Sequence, residues 1–252
     1  MTRTFSPWLI LLTSASTLLT AASSGQDFSP PPEERQLPKQ MRSAMKVLPS
    51  ILKGCTVRNY NGDGVSFQQS NDVTVEECRS ENNASLGIHP GSGSQRPTVR
   101  NCVARGNGED GLFLCWRVRH GLFEDNVLEN NSRYGISIGH KDSDNLLRHN
   151  QVRSNQAEGV YFRNEPQASA GHRNVLQGNF IENNGAKAEV AGIRVRGETR
   201  DIVLKNNTIR DTRPEESRRQ TTGIQIESKA GPVVLESNLI TAPVPVKDQR
   251  TR

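Results

Sequence analysis

Short apolar pairs recur along the chain with polar punctuation between them. The segment Asn126-Val127-Leu128-Glu129-Asn130-Asn131-Ser132-Arg133-Tyr134-Gly135-Ile136-Ser137-Ile138 shows one period of the pattern. Seven strands led by glycine align under one another: Gly64-Val65, Gly87-Ile88, Gly111-Leu112, Gly135-Ile136, Gly159-Val160, Gly192-Ile193 and Gly223-Ile224, with spacings of 23, 24, 24, 24, 33 and 31 residues. A second register keeps the same period, with Cys55, Cys78, Cys102, Asn126, Asn150, Asn179, Asn207 and Asn238 each closing a run such as Thr-Val-Glu-Glu or Leu-Leu-Arg-His. A further polar column reads Asn59, Asn82, Asn107, Asn130, Asn155, Asn183 and Asp211. Self-similarity at this period predicts a solenoid. About three short strands per coil stack in parallel, ~4.8 Å apart, so like residues of successive coils lie over one another. Asparagine suits a stacked turn, because it tolerates left-handed backbone and its amide bonds to the next amide of a column. Glycine before each strand predicts a turn junction with an unusual backbone angle.

The ends read differently. Residues 1–24 have the form of a secretory signal: Arg3, a short apolar stretch from Trp8 to Leu19, then small residues. That stretch is broken by Thr13, Ser14 and Ser16 and falls short of the ~20 residues a membrane span needs. Once the signal is removed, no transmembrane segment remains. Residues 25–49, with Pro30-Pro31-Pro32, form a linker or N-terminal cap over the open top of the stack. The repeats fill 50–243. Pro243, at the end of the repeats, and Pro245, in the C-terminal tail 244–252, are expected to stop the strand ladder.

The Gly-apolar-x-apolar strands and the asparagine column resemble the parallel β-helix of the pectate-lyase-like superfamily. The resemblance covers roughly residues 50–243. It implies an all-β fold, a single-stranded right-handed parallel β-helix of about seven coils with an asparagine ladder at its second turn. It also implies that the Gly-led strands form the first sheet, that the loops after them form the first turn, and that substrate lies across that face. Pectate and pectin lyases, polygalacturonases, alginate epimerases, phage tailspikes and periplasmic proteins share this fold, and no one enzyme's full catalytic motif is matched here.

Composition narrows the partner. Aromatics are 5% and hydrophobics 33%, enough for a thin cylinder in which every second side chain points inward. Net charge is +5, or +4 without Arg3, which suits an acidic polysaccharide. Lys/Arg runs interleaved with aromatics are missing, so nucleic acid is not expected. Four cysteines in an exported chain raise disulfides, but Cys55, Cys78 and Cys102 would point in parallel, which favours stacked free thiols. Cys115 belongs to another column and is read as isolated. The cysteine spacing supplies no convergent zinc set.

Alternation sends Ser66, His89, Phe113, Ser137, Tyr161, Arg194 and Gln225 outward, then Gln68, Gly91, Cys115, Gly139, Arg163, Arg196 and Glu227. The 24-residue spacing is expected to stack Trp116, His140 and Asn164, and beside them Arg117, Lys141 and Glu165. Catalytic candidates on this face are His140, Lys141, Tyr161, Arg163, Asp142 and Glu165. Substrate-binding candidates are His89, Trp116, Arg117, Asp144, Arg194 and Arg196. A lyase or epimerase needs a base and a cation beside a uronate carboxylate: His140, Lys141 or Tyr161 would be the base, Arg163 and Arg194 the cations. A hydrolase needs two carboxylates, and Asp142, Asp144 and Glu165 are the compact acidic group. The same three are a thin oxygen supply for a calcium cofactor. Asp142 and Asp144 also fit a plain turn. The charged insertion Asp211 to Thr222 is expected to be a mobile flap. The alternatives to an enzyme are a non-catalytic carbohydrate-binding or structural scaffold and a periplasmic accessory protein.

Overall fold

A computed structural model describes residues 11–13, 17–19, 50–186 and 188–251. The expected signal and cap lie outside the described residues, except for a short antiparallel pair, Leu11–Thr13 with Thr17–Leu19. From Ile51 onward the chain winds through three parallel sheets of eight strands each. It makes eight coils, one more than the glycines suggest. The extra strand, Val244–Asp248, pairs in register with Thr222–Ile226. The ladder therefore does not stop at Pro243, and the expected tail begins as a strand. Pro245 fits there because its strand lies at the sheet edge.

Each coil runs from a second-sheet strand, through the second turn, to a third-sheet strand, then by the third turn to the Gly-led sheet. One coil is Leu122–Glu124, Val127–Glu129 and Ile136–Ile138. Inward residues of the Gly-led sheet, including Ile88, Leu112, Ile136, Val160, Ile193 and Ile224, are fully buried over one another. This stacking explains the glycines. None of those leading the seven strands has positive φ, contrary to the expected unusual angle. They are needed for space: a Cβ on Gly135 would lie 2.2 Å from Val152 Cγ1 and 2.7 Å from the Gly159 carbonyl oxygen.

Two long side-chain ladders fasten the second and third turns, and a short one, Asn145 to Asn174, fastens the first. In the second turn, the Asn126 amide donates to Asn150, Asn150 to Asn179, Asn179 to Asn207 and Asn207 to Asn238, at 2.9–3.0 Å. Cys102 N–H donates to Asn126, and Cys78 N–H to the Cys102 sulfur at 3.4 Å. Cys55, Cys78, Cys102 and Cys115 are all free thiols. The third-turn ladder is Asn83, Asn107, Asn131, Asn155, Asn184 and Gln220. The second polar column read from the sequence thus mixes two columns. Asn107 and Asn155 belong to the buried amides. Asn59, Asn82, Asn130 and Asn183 sit one residue earlier with φ of 53–57°, where asparagine relieves left-handed backbone.

Outside, the second and third sheets carry alternating charges. Third-sheet positions read Arg58, Glu81, Arg105, Glu129, Arg153, Glu182 and Arg210 from coil to coil. Adjacent members pair, as Arg153 does with Glu129 at 2.8 Å. Identical charges stacked directly across parallel strands would repel, so alternation neutralises these faces. The insertion at 211–222 is pinned rather than loose. Asp211 accepts the N–H groups of Arg213, Arg219 and Gln220, and Arg213 donates to the carbonyls of Asn184 and Gly185.

Candidate functional site

The outward side of the Gly-led sheet has no such charge ladder. His89, Phe113, Ser137, Tyr161 and Arg194 follow one another across it, as alternation requires. Over them lie two groups of side chains and, separately anchored, Arg163.

The first group sits at the first turn. Cys115 follows two residues after strand Leu112–Phe113, and the chain then turns sharply, with Trp116 and Arg117 both in the left-handed region (φ 58° and 63°). One coil on, His140 and Lys141 repeat that conformation (φ 47° and 68°). The Trp116 and His140 rings meet edge to face at 5.7 Å, so the expected stack holds across these two coils. It fails at the next. Asn145 and Asn174 are 29 residues apart where Gly121 and Asn145 are 24, because residues after Asn164 bulge outward. Arg117 N–H meets the carbonyl of His140, 23 residues on, but Lys141 N–H meets Ser169 O instead of Asn164 O. Glu165 is carried to His140, where its Oε1 lies 2.7 Å from Nε2. On the other side of the ring, His140 Nδ1 is 3.4 Å from Cys115 Sγ. Cys115 is thus not isolated. Gly197, at φ 62°, packs on the Glu165 backbone so closely that a Cβ would come within 2.4 Å of its nitrogen.

Partial burial and the Arg163 charge lower the His140 pKa, against the opposing pull of Glu165, so the imidazole is neutral near pH 7. Burial pushes the Cys115 thiol up to about 11, with Arg163 opposing. Trp116 is 51% exposed beside them, and Arg117 and Lys141 are exposed cations.

Arg163 is locked in place. Its guanidinium donates to Ser137 Oγ at 2.8 Å, to the Leu114 carbonyl at 2.7 Å and to Asp142 Oδ2 at 3.0 Å, and it lies over the Phe113 ring. Asp142 is wholly buried and also accepts the N–H groups of Val118 and Gly139. Burial pushes its carboxyl up to about 7, while Arg163 and the two N–H groups hold the charged form. Asp142 therefore organises the turn out of reach of a polymer. Asp144 is also displaced from the expected group: it pairs with Arg173 through two bonds, of 2.6 and 2.9 Å, at the start of the second sheet. The three carboxylates do not converge.

The second group lies beyond Arg163. Tyr161 is nearly buried, stacked on Tyr134 with centroids 4.2 Å apart, and its hydroxyl receives Arg196. Arg194 bridges Glu158 and Glu227 at 3.0 and 2.7 Å. These cations are internally neutralised. His89 stands at the other end, its Nδ1 2.7 Å from Asp63, which keeps the Asp63 pKa low in spite of burial. Sequence reasoning missed Tyr134, Asp63 and Glu158. All three precede a strand glycine or lie in its column, at the 24-residue step in the case of Tyr134 and Glu158. Among the described residues no three His, Cys, Asp or Glu side chains gather as metal ligands. A depression of about 330 Å³, lined by Gln167, Glu198, Arg200, Lys229 and Gly231, contains none of the site residues.

Comparison with known proteins adds context. A family model described as right-handed beta helix region matches residues 47–169 and 119–246. Mannuronan C5-epimerase AlgE5 of Azotobacter vinelandii is 27% identical over 136 residues, 54% of this chain and 13% of that protein. The chain thus spans a small part of the curated relative's length. The crystal structure of the periplasmic alginate epimerase AlgG superposes with a TM-score of 0.57 at 15% identity, covering 85% of this chain and 54% of that one. PfbA, a surface adhesin of Streptococcus pneumoniae, superposes with a TM-score of 0.57 at 14% identity, covering 75% of this chain and 58% of that one. At these identities the two structures are alike in fold alone.

Proposed function

This chain belongs to the right-handed β-helix family, and from that footing we propose that it is an exported protein whose Gly-led face binds and processes an acidic polysaccharide, with His140 and Glu165 as its acid–base pair. The observation that carries the reading is the 2.7 Å His140–Glu165 pair beside exposed Trp116, on the one sheet face that is not closed off by a charge ladder. Trp116 offers a platform for a sugar ring. Arg117 and Lys141 are the cations left open to a uronate carboxylate. Arg163 and Arg194, first expected in that role, already hold Asp142, Glu158 and Glu227. A neutral imidazole is ready to take the proton next to that carboxylate, and Glu165 steadies the charge that forms. Names of similar proteins that carry mannuronan and alginate support the substrate class. The sequence of residues 1–24 supports export.

Uronic-acid and neutral glycans, incubated with the protein and followed for unsaturated ends, new reducing ends and inverted C5 centres, test this. Turnover lost in H140A and binding weakened in W116A are the expected results. No retention on an acidic-glycan column and no product would refute the reading. Binding without turnover is the second reading. It is favoured by the internal pairing of Arg163 and Arg194, and retention without product from any glycan would establish it.

A further inference from the structure

We propose that Cys115, His140 and Glu165 form a nucleophilic triad that takes an acyl group from an ester, so that this face removes O-linked acyl substituents from the polymer it binds. Both nitrogens of the His140 ring are engaged, Nδ1 by the Cys115 sulfur at 3.4 Å and Nε2 by Glu165 at 2.7 Å. Nucleophile, base and orienting carboxylate are thereby set in line across one imidazole. Glu165 fixes the tautomer with the proton on Nε2, leaving Nδ1 to accept. Among the described residues no other cysteine has such a partner: the sulfurs of Cys55, Cys78 and Cys102 are turned to backbone carbonyls of the second-sheet strands.

The backbone serves the same end. The left-handed pair Trp116-Arg117 turns the chain away just past the sulfur. The Arg163 guanidinium adds positive charge nearby. The thiol is high because it is partly buried, so it stays protonated until His140 removes the proton. Access is from the Trp116 side, which is open to solvent.

The sequence of steps balances without any oxidant. Sulfur attacks the acyl carbon while His140 Nδ1 takes the thiol proton. The ester oxygen leaves as an alcohol with that proton, and a thioester remains on Cys115. Water then attacks the thioester, giving its proton to Nδ1. The carbon–sulfur bond breaks and the proton returns to sulfur. Ester and water become acid and alcohol.

Only the identity of the acyl carrier rests on the polysaccharide reading, so the test uses a small ester. The full chain is mixed with p-nitrophenyl acetate, nitrophenolate release is followed, and acetylated peptides are located by mass spectrometry. A burst is expected, with acetyl on the Cys115 peptide and little on Cys55. C115A is expected to lose the burst, and H140A to slow acylation by about 100-fold or more. Glu165 is a positioning residue: E165Q is expected to slow the reaction less and to move its pH profile, which reports His140 among Cys115, Asp142, Arg163 and Glu165. Circular dichroism checks the fold of each variant, and C115S stands in if C115A misfolds. Acetyl shared equally between Cys55 and Cys115, or unchanged acylation in folded H140A, would overturn the triad. Failure to bind glycans would leave a positive result intact.

Discussion

Replacing Asn150 with alanine measures what the second-turn column contributes to the stack. Asn150 is fully buried, and its side chain makes four hydrogen bonds. Nδ2 donates to the Phe123 carbonyl at 3.0 Å and to Asn179 Oδ1 at 2.9 Å, while Oδ1 receives Asn126 N–H at 3.1 Å and Asn126 Nδ2 at 3.0 Å. Alanine removes all four. Asn179 Oδ1 keeps the backbone N–H of residue 150, and Asn126 Nδ2 keeps the Val99 carbonyl. The Asn126 N–H loses the ladder partner and is sealed from water. With a neutral hydrogen bond worth about 1 kcal/mol net and a buried orphan costing about 1–3, the loss comes to roughly 3–5 kcal/mol. Asn238, at the end of the column, is partly exposed and water can replace its partners, so N238A should cost about 1 kcal/mol. N150C keeps an acceptor of the kind Cys102 offers to Cys78 N–H, and should fall between the two. Urea titrations followed by circular dichroism, compared at equal m, give the differences. Equal losses below about 1 kcal/mol at Asn150 and Asn238 would refute the reasoning, because the cost would then not depend on burial of the amide.

Three further perturbations probe other layers. G135A, whose Cβ would overlap Val152, the Gly159 carbonyl and Asn155, should cost about 3 kcal/mol or more, whereas G93A, strained only by φ of 78°, should cost about 1; thermal melts separate them. E129K puts a third cation between Arg105 and Arg153, and should lose about 1–2 kcal/mol at low salt and recover part of it in high salt; an unchanged melt would show the alternation to be idle. Asp211 has its pKa held down to about 2, in spite of burial, by the Arg213 guanidinium and the N–H groups of Gln220, Arg213 and Arg219. Its folded pKa lies below the unfolded one, so its contribution is present above about pH 4 and fades as pH falls towards 2; D211N should cost about 2 kcal/mol at pH 7 and leave the variants alike near pH 2.

The fold was legible because translation by one coil repeats both pattern and environment. Asn126, Asn150 and Asn179 announce their stacking by recurring, and so do the strand glycines. What escaped the sequence were features set by a neighbouring coil. That Asn82 answers to backbone conformation and Asn83 to hydrogen bonding is invisible where both are asparagine. The need for glycine at 135 lies in Val152 and Gly159, one coil below. For the site, direction was readable and occupancy was not. His89, Tyr161, Arg163 and Arg194 do face outward, but whether an outward arginine is open depends on Asp142, Glu158 and Glu227 brought in from other turns. Asp142 and Asp144 are two residues apart, and one is sealed inside while the other pairs with Arg173.

A perfectly regular helix of this kind would hold little chemistry. Stacked copies of one residue suit amides, which donate and accept in the same column. They suit charges only if the sign alternates, which leaves each charge neutralised by its neighbours. A catalytic group needs unlike partners at close range, and these arise where the repeat is broken. His140 would meet another first-turn residue at the 24-residue step. The bulge after Asn164 shifts the chain by five positions, from 24 to 29, and brings Glu165 to the imidazole while Ser169 takes the backbone place beside Lys141. Cutting the bulge back to the regular length should therefore leave the second- and third-turn ladders intact and stack the coils as before, yet remove the carboxylate from His140. A shortened chain that folds with unchanged stability but retains glycan turnover and Cys115 acylation would show that the broken register is not what makes the site.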